Sequence, residues 1–422
     1  MLPGYQLFAY LLFGVLSLLG LLLLLLRTPY GGGLRRAVDR TLRAISRDGG
    51  AAWLDWRLVL LVAGLGYALT VAFDVAIGLY RCHGTGPSDI LALAASGRAF
   101  WSGGNPFTVP NCGSSIEVPY GLAAVLVDAL GSLGGPVGIT ALWGGIALLL
   151  VPLVWTLGGP DRRYVLLFVA VSPLYVPLVA TQIDGASNAL VPVTVLLALY
   201  LARRREPLAA AVGGFLATGR FPALFPLLGA AGRMRRRWAF AGVAIAVFLA
   251  VTAATYAVWG RAFFDPVFLS QAGRRSFSLN LYGVLIQQHL LPAGYAVAAG
   301  QAALTVLLVV AVFFRSRTAL GAAAITLAGV ALVTQFLSYS ILVSLVPVAL
   351  LGARPRWWLW AIGIVGTVNY DFAYSYAAVQ EGQWLPYDVL GIVLTVLLVG
   401  LFWDLWRSEL GAATAPGPTP TA

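Results

Sequence analysis

The chain has 422 residues, 60% of them hydrophobic and only 10% charged, with a formal net charge of +11. A soluble domain is nearer ~45–50% apolar, so this composition excludes a soluble globular protein. All 27 basic residues are arginine, and a polytopic membrane protein whose cytoplasmic loops carry the cations accounts for the charge without any nucleic-acid partner.

A membrane-spanning helix needs roughly 20 apolar residues, and the first windows that qualify are Tyr5 to Leu26 and Leu58 to Ile77. The first lacks a basic leader and a small-residue cleavage site, which marks it as a retained helix rather than a signal peptide. Between the two lies a loop holding Arg27, Arg35, Arg36, Arg40, Arg43, Arg47 and Arg57, assigned to the cytoplasm by the positive-inside rule. Residues 1–56 thus form an N-terminal extra helix with a basic loop, residues 57–407 the main transmembrane domain, and the Pro/Thr/Ala-rich residues 408–422 a disordered tail. The main domain's first external loop, 79–135, is the longest polar passage in the chain. It holds Arg81, Cys82, His83, Asp89, Arg98 and Cys112, and is where function is expected.

Within that loop Ile90 to Trp101 reads as a helix, and Val118 to Leu133 as a short or surface-lying one, because a full crossing there would invert every later loop. Further crossings are expected at Pro136 to Leu157, Tyr164 to Ala180, Ser187 to Ala202, Trp238 to Trp259, Ala293 to Phe314, Thr318 to Gln335, Ile341 to Gly352, Trp357 to Tyr370 and Leu385 to Trp406. Pro207 to Ala231 is different, since basic clusters lie at both ends and Thr218-Gly219-Arg220-Phe221-Pro222 interrupts the middle. At 1.5 Å per residue neither arm reaches across a ~30 Å hydrocarbon core, which predicts two short helices meeting inside the membrane with Arg220 at the tip. The expected fold is therefore an all-α polytopic membrane protein of about 11–13 transmembrane or re-entrant helices with a structured first external loop. On this layout 21 arginines are cytoplasmic and five external (Arg81, Arg98, Arg261, Arg274, Arg275).

Motifs of soluble enzymes are missing: there is no Walker loop, dinucleotide fingerprint or HExxH. The two histidines, His83 and His289, fall short of the three protein ligands a zinc site needs, and no cofactor is expected. Two roles fit Asp89 equally, a catalytic carboxylate or an N-terminal helix cap beside Ser88. Asp74, near the outer end of its helix, is an intramembrane acid, a residue class that defaults to function, or else an interfacial acid. Cys82 and Cys112, the only cysteines, share an external loop on the oxidising side and are expected to pair.

Asp89, Ala95, Gly104, Asn105-Pro106-Phe107 and Val118-Pro119-Tyr120 resemble the D…A…G-x-P-Y…Y-P-P pattern in the first external loop of polyprenyl-phosphate-mannose-dependent α-mannosyltransferases of the GT-C class. Thr181-Gln182-Ile183-Asp184 is similar to that family's G-Q-x-N turn, Gly219-Arg220-Phe221-Pro222 to its K-x-x-P break, and Phe336-Leu337-Ser338-Tyr339-Ser340 before Val346-Pro347 to its late serine/tyrosine turn. The chain departs from the pattern in reversing Pro119-Tyr120, in Arg220 for lysine and in Asp184 for asparagine. The resemblance implies a glycosyltransferase moving a sugar, mannose first among candidates, from a polyprenyl- or dolichyl-phosphate donor to a hydroxyl of a glycolipid or glycan. It implies a multi-pass protein of the cell membrane, surrounded by lipids, with its active site facing outside. Asp89 is then the catalytic base, with Asp74 as runner-up. Arg98, Arg220, Arg274 and Arg275 are candidates for the donor phosphate, the last two equally for anionic headgroups. Gln182, Asp184 and Asn105 are further substrate contacts, and Trp101, Phe107 and Tyr120 either stack on sugar or serve as interfacial aromatics. A transporter or lipid flippase is the competing reading, favoured by the broken short helices but lacking an internal repeat.

Overall fold

The protein is described here as a computed structural model covering residues 89–157, 189–270, 280–291, 294–334 and 385–410, with isolated positions 32, 33, 36, 82, 342, 345, 348, 349, 361–363, 365, 366 and 369. The expected helices at 5–26, 58–77 and 164–180, most of 341–352 and 357–370, and residues 411–422 of the tail lie outside these residues, as do Asp74, Gln182, Asp184, Arg274 and Arg275, while residues 408–410, expected in the tail, continue a helix. What is described is helical, apart from one two-stranded hairpin.

The external loop folds as α1 (Asp89–Trp101), a hairpin of β1 (Thr108–Asn111) and β2 (Ser114–Glu117), and α2 (Leu122–Ser132). The hairpin pairs Val109 with Ile116 and turns through Cys112 at φ 48° and Gly113 at φ 84°. Glycine takes the second position without strain, and Cys112 is anchored there by its disulfide to Cys82, Cα–Cα 5.3 Å. At 11 residues, α2 rises only ~16 Å and cannot cross the hydrocarbon, the short helix expected at Val118 to Leu133.

Next come α3 (Gly135–Leu148) and α4 (Leu150–Leu157), together the crossing expected at Pro136 to Leu157. The crossing is not one continuous helix. Pro152 has no N–H to give the carbonyl of Leu148 and its ring crowds that carbonyl, so the ladder interrupts at Leu149, whose N–H bonds back to Ile146 at 3.1 Å. Then α5 (Leu190–Ala202) leads to the pair α6 (Glu206–Ala217) and α7 (Leu224–Ala231), separated by a break and a 3-10 turn at Phe221–Ala223. Twelve and eight residues give ~18 and ~12 Å, the two short arms read from the sequence.

The remaining elements are α8 (Arg237–Trp259), a helical turn at Arg261–Phe264 running into a π turn at Asp265–Leu269, α9 (Leu281–Gln287), α10 (Tyr295–Arg315), α11 (Ala319–Val333) and α12 (Leu385–Leu410). Among the described residues four stretches are long and apolar enough to span a membrane: Gly135–Val154, Arg237–Trp259, Tyr295–Arg315 and Tyr387–Leu410. The protein is an all-α polytopic membrane protein.

Its main core gathers α4, α5, α7, α11 and α12. The run of small residues Gly321, Ala322, Ala323, Ala324, Ala328 and Gly329 buries α11 on all sides, since small side chains let neighbouring helices approach closely where lipid supplies no hydrophobic drive. In contrast α8 and α10 expose Leu249, Val258, Leu304 and Leu307, as helices on the lipid-facing rim do. Both ends of α11 are closed by side chains. Glu409 accepts from the N–H groups of Arg317 (3.1 Å) and Thr318 (2.8 Å) at the start of α11. At the other end Asn280, buried, donates to the carbonyls of Ala331 and Thr334, both at 3.1 Å.

Candidate active site

Asp89 is the first residue of α1 and is exposed, while Ile90, Leu93, Ala94, Ser96 and Gly97 on the same helix are buried. The helix is held against α2 because Gly97 carries no side chain: a Cβ there would collide with the backbone carbonyl of Asp128 and come within 2.7 Å of Ser132 Cβ. A second core beneath the loop joins Leu93, Val109, Val118, Ala124, Ile139, Trp143 and Leu190. The acid at the tip of α1 therefore stands on a fixed platform.

Arg220 reaches the same region from the opposite direction. It occupies the break between α6 and the 3-10 turn, extended at φ −143°, and is partly buried. Its guanidinium carbon lies 4.2 Å from the centroid of the Tyr120 ring, and the ionisable groups that act on it electrostatically are Tyr120 and Asp89. Backbone locks the meeting in place, since the Gly121 N–H donates to the Gly219 carbonyl at 3.2 Å. A cation and an aromatic ring from two separate elements thus meet, with the acid of α1 near enough to act on the cation's charge. A carboxylate can accept a proton and an arginine can hold a phosphate, so this trio has the parts for transfer from a phosphate leaving group.

Other expected contacts have local partners. Asn105 accepts the Phe107 N–H on its Oδ1 at 2.9 Å, an Asx turn that shapes the Gly-Gly-Asn-Pro-Phe corner. Phe107 is wholly buried, edge-on to Trp259 at 5.6 Å and near Phe263 at 5.0 Å, which corrects its reading as a sugar-stacking or interfacial ring. The Trp101 indole donates to the Ala129 carbonyl at 2.7 Å and leaves its ring 56% exposed. Arg98 is exposed in the last turn of α1, away from the Arg220 pair.

Two buried residues had gone unremarked. Trp143 donates its indole N–H to Asp128 Oδ1 at 2.9 Å, while Oδ2 has no hydrogen-bond partner among the described residues. Burial pushes the Asp128 carboxyl well above the usual carboxylate range, against the lowering from Trp143. An acid inside an apolar helix was the available signal, the same one that drew attention to Asp74.

Set against known protein families, residues 117–344 match the model of the family described as GT87, Glycosyltransferase family 87. The matched stretch includes Tyr120 and Arg220 and begins after Asp89. No curated protein and no solved structure matches the chain.

Proposed function

The chain belongs to glycosyltransferase family 87, and we propose that it moves a hexosyl residue, most simply mannose, from a polyprenyl-phosphate donor to an acceptor hydroxyl at the extracytoplasmic face of the cell membrane. The observation that carries this reading is the Arg220 guanidinium held over the Tyr120 ring at the break between α6 and the 3-10 turn, on the side of the molecule from which Asp89 acts on its charge. Sugar transfer is the coarser statement given by the family. The lipid-phosphate donor is supported by a cation placed within a chain of this hydrophobicity, where arginine is costly unless it meets an anion or water.

In the proposed reaction the acceptor hydroxyl attacks C1 of the sugar from the side opposite the phosphate. The new C1–O bond forms as the C1–O bond to phosphate breaks, and the electron pair leaves on the phosphate oxygen. Asp89 accepts the hydroxyl proton, and Arg220 stabilises the charge gathering on the prenyl phosphate. A carboxylate in reach of the acceptor contributes a typical ~10²–10⁴-fold, and a preorganised cation acts where the charge develops. The glycolipid or glycan acceptor approaches from the aqueous side, where Asp89 is exposed, while the donor's chain stays in lipid.

Purified protein incubated with polyprenyl-phosphate mannose and a panel of glycolipid acceptors tests this directly. Acceptor-dependent appearance of free prenyl phosphate is the expected result. Failure with every prenyl-phosphate sugar, alongside turnover of a nucleotide sugar, would assign the donor to another class. The discontinuous helices shared with transporters remain a feature of the fold, but the family match removes the need for a transport function to explain them.

A further inference from the structure

Tyr120 stands where the external loop enters α2, and Arg220 where α6 breaks. Their ring-to-guanidinium contact of 4.2 Å is not left to two flexible side chains, because each residue has a glycine beside it and the two glycines touch. The Gly121 N–H donates to the Gly219 carbonyl. A Cβ on Gly121 would collide with the Thr218 carbonyl, and one on Gly219 would sit 2.8 Å from the Ala124 nitrogen. With no side chain between them the two backbones meet at a single register, and that register lays the residue before one glycine over the residue after the other.

An arginine has a long, freely rotating side chain, whose freedom a phosphate site must otherwise remove when the ligand arrives. An aromatic face removes it beforehand, and it does so without using the guanidinium's N–H donors, which lie in the plane of the group and bind phosphate edge-on. We propose that Tyr120 is a positioning residue of the donor site: its ring holds the Arg220 guanidinium face-on so that the donor-binding edge meets the lipid phosphate, and it does not stack on the sugar. This rests on the reading of Arg220 as the phosphate cation.

The test is equilibrium binding of farnesyl phosphate, a short prenyl phosphate that carries no sugar, to the full-length protein in detergent. The variants are Tyr120→Leu, Tyr120→Phe, Arg220→Met and the double variant Tyr120→Leu/Arg220→Met, each checked for folding by thermal unfolding. Tyr120→Leu is expected to weaken binding about 3- to 30-fold, the range of cation–π contacts from exposed to desolvated. Tyr120→Phe, which keeps the ring face, should recover most of that loss, and in the Arg220→Met background the leucine should add less than about 2-fold, as coupled residues do. Unchanged binding in Tyr120→Leu, or a loss that persists when Arg220 is already gone, overturns the positioning role. Unchanged binding in Arg220→Met overturns the phosphate assignment and the positioning role with it, and the two failures are distinguished by that single variant. Should Tyr120→Leu fail to fold, Tyr120→Met, also without a ring, serves in the same comparisons.

Discussion

The carboxylate of Glu206 accepts hydrogen bonds from the backbone N–H groups of Arg235, at 2.7 Å, and of its neighbour Arg236, at 3.1 Å. Glu206 is the first residue of α6, and Arg236 is the N-cap of α8. One side chain therefore ties the start of the re-entrant pair to the segment that leaves it, and both ends are held at the same face of the bundle. A carboxylate is also well suited to the open N–H groups at a helix start. Replacing Glu206 with alanine is expected to lower stability in detergent by about 1 kcal/mol, the low side of charge-assisted bonds because the pair is solvent-exposed. Glu206→Gln, which keeps an acceptor oxygen, should lose about half as much. Thermal unfolding of the two variants side by side measures this.

Asp89→Asn separates the two roles open to this residue. Asparagine keeps the shape and the capping oxygen but accepts no proton. Transfer is expected to fall ~100-fold or more, with expression and prenyl-phosphate binding unchanged. A residue that only caps α1 would tolerate the change almost silently, because Asn and Asp cap about equally well. Activity near that of the parent chain would shift the search for the base to Asp74.

Removing the cystine link by Cys82→Ser is expected to cost about 3 kcal/mol, since it opens a loop with a sequence separation of 30 in the chain-entropy account of cross-links. In the parent chain neither thiol should react with maleimide until a reductant is added. Labelling of both cysteines without reduction would contradict the bond.

Asp128→Asn should raise the melting temperature at neutral pH. The folded-state value of this carboxyl is pushed up by burial, so its ionisation opposes folding and the cost grows as pH rises above the unfolded value of ~3.9. Asparagine retains an acceptor for the Trp143 indole and carries no charge to bury. The difference between the two proteins is expected to vanish in acid and widen towards neutrality, in a pH series of thermal unfolding. A substitution that destabilises equally at every pH would mean that the shape of the carboxyl matters and its charge does not.

Much of the fold was legible because lipid imposes simple rules. Arginine clusters mark the ends of α5, α8, α10 and α11, and the Gly-Arg-Phe-Pro run marks the break between α6 and α7, since proline and glycine interrupt an apolar stretch already too short to cross. The Pro152 interruption within one crossing was equally readable from proline's missing donor, but the expected span passed over it. The hairpin at Thr108–Glu117 gave little notice: its strands are four residues each, too brief for alternation to stand out. At the site, Asp89 and Arg220 were legible as chemical types, an acid and a cation where neither is cheap. The meeting of Arg220 with Tyr120 was not, because it depends on Gly121 and Gly219, a long way apart in sequence, touching backbone to backbone. Asn105 and Trp101 are candidate ligand contacts that also make local hydrogen bonds, since amides and indoles serve both purposes. Only the hydrogen bonds to Phe107 and Ala129 reveal their local work.

The contact between Gly121 and Gly219 also bears on how such a chain can vary over time. A loop that ends on a backbone-to-backbone junction cannot be exchanged as a free cassette. A chimera carrying another protein's external loop would bring its own residue to face the Thr218 carbonyl, and anything larger than glycine there would lift α2 from the re-entrant pair. The loop and the α6–α7 pair would therefore have to be exchanged together, and changes that spare the seam would have to fall on the parts of the loop away from Gly121.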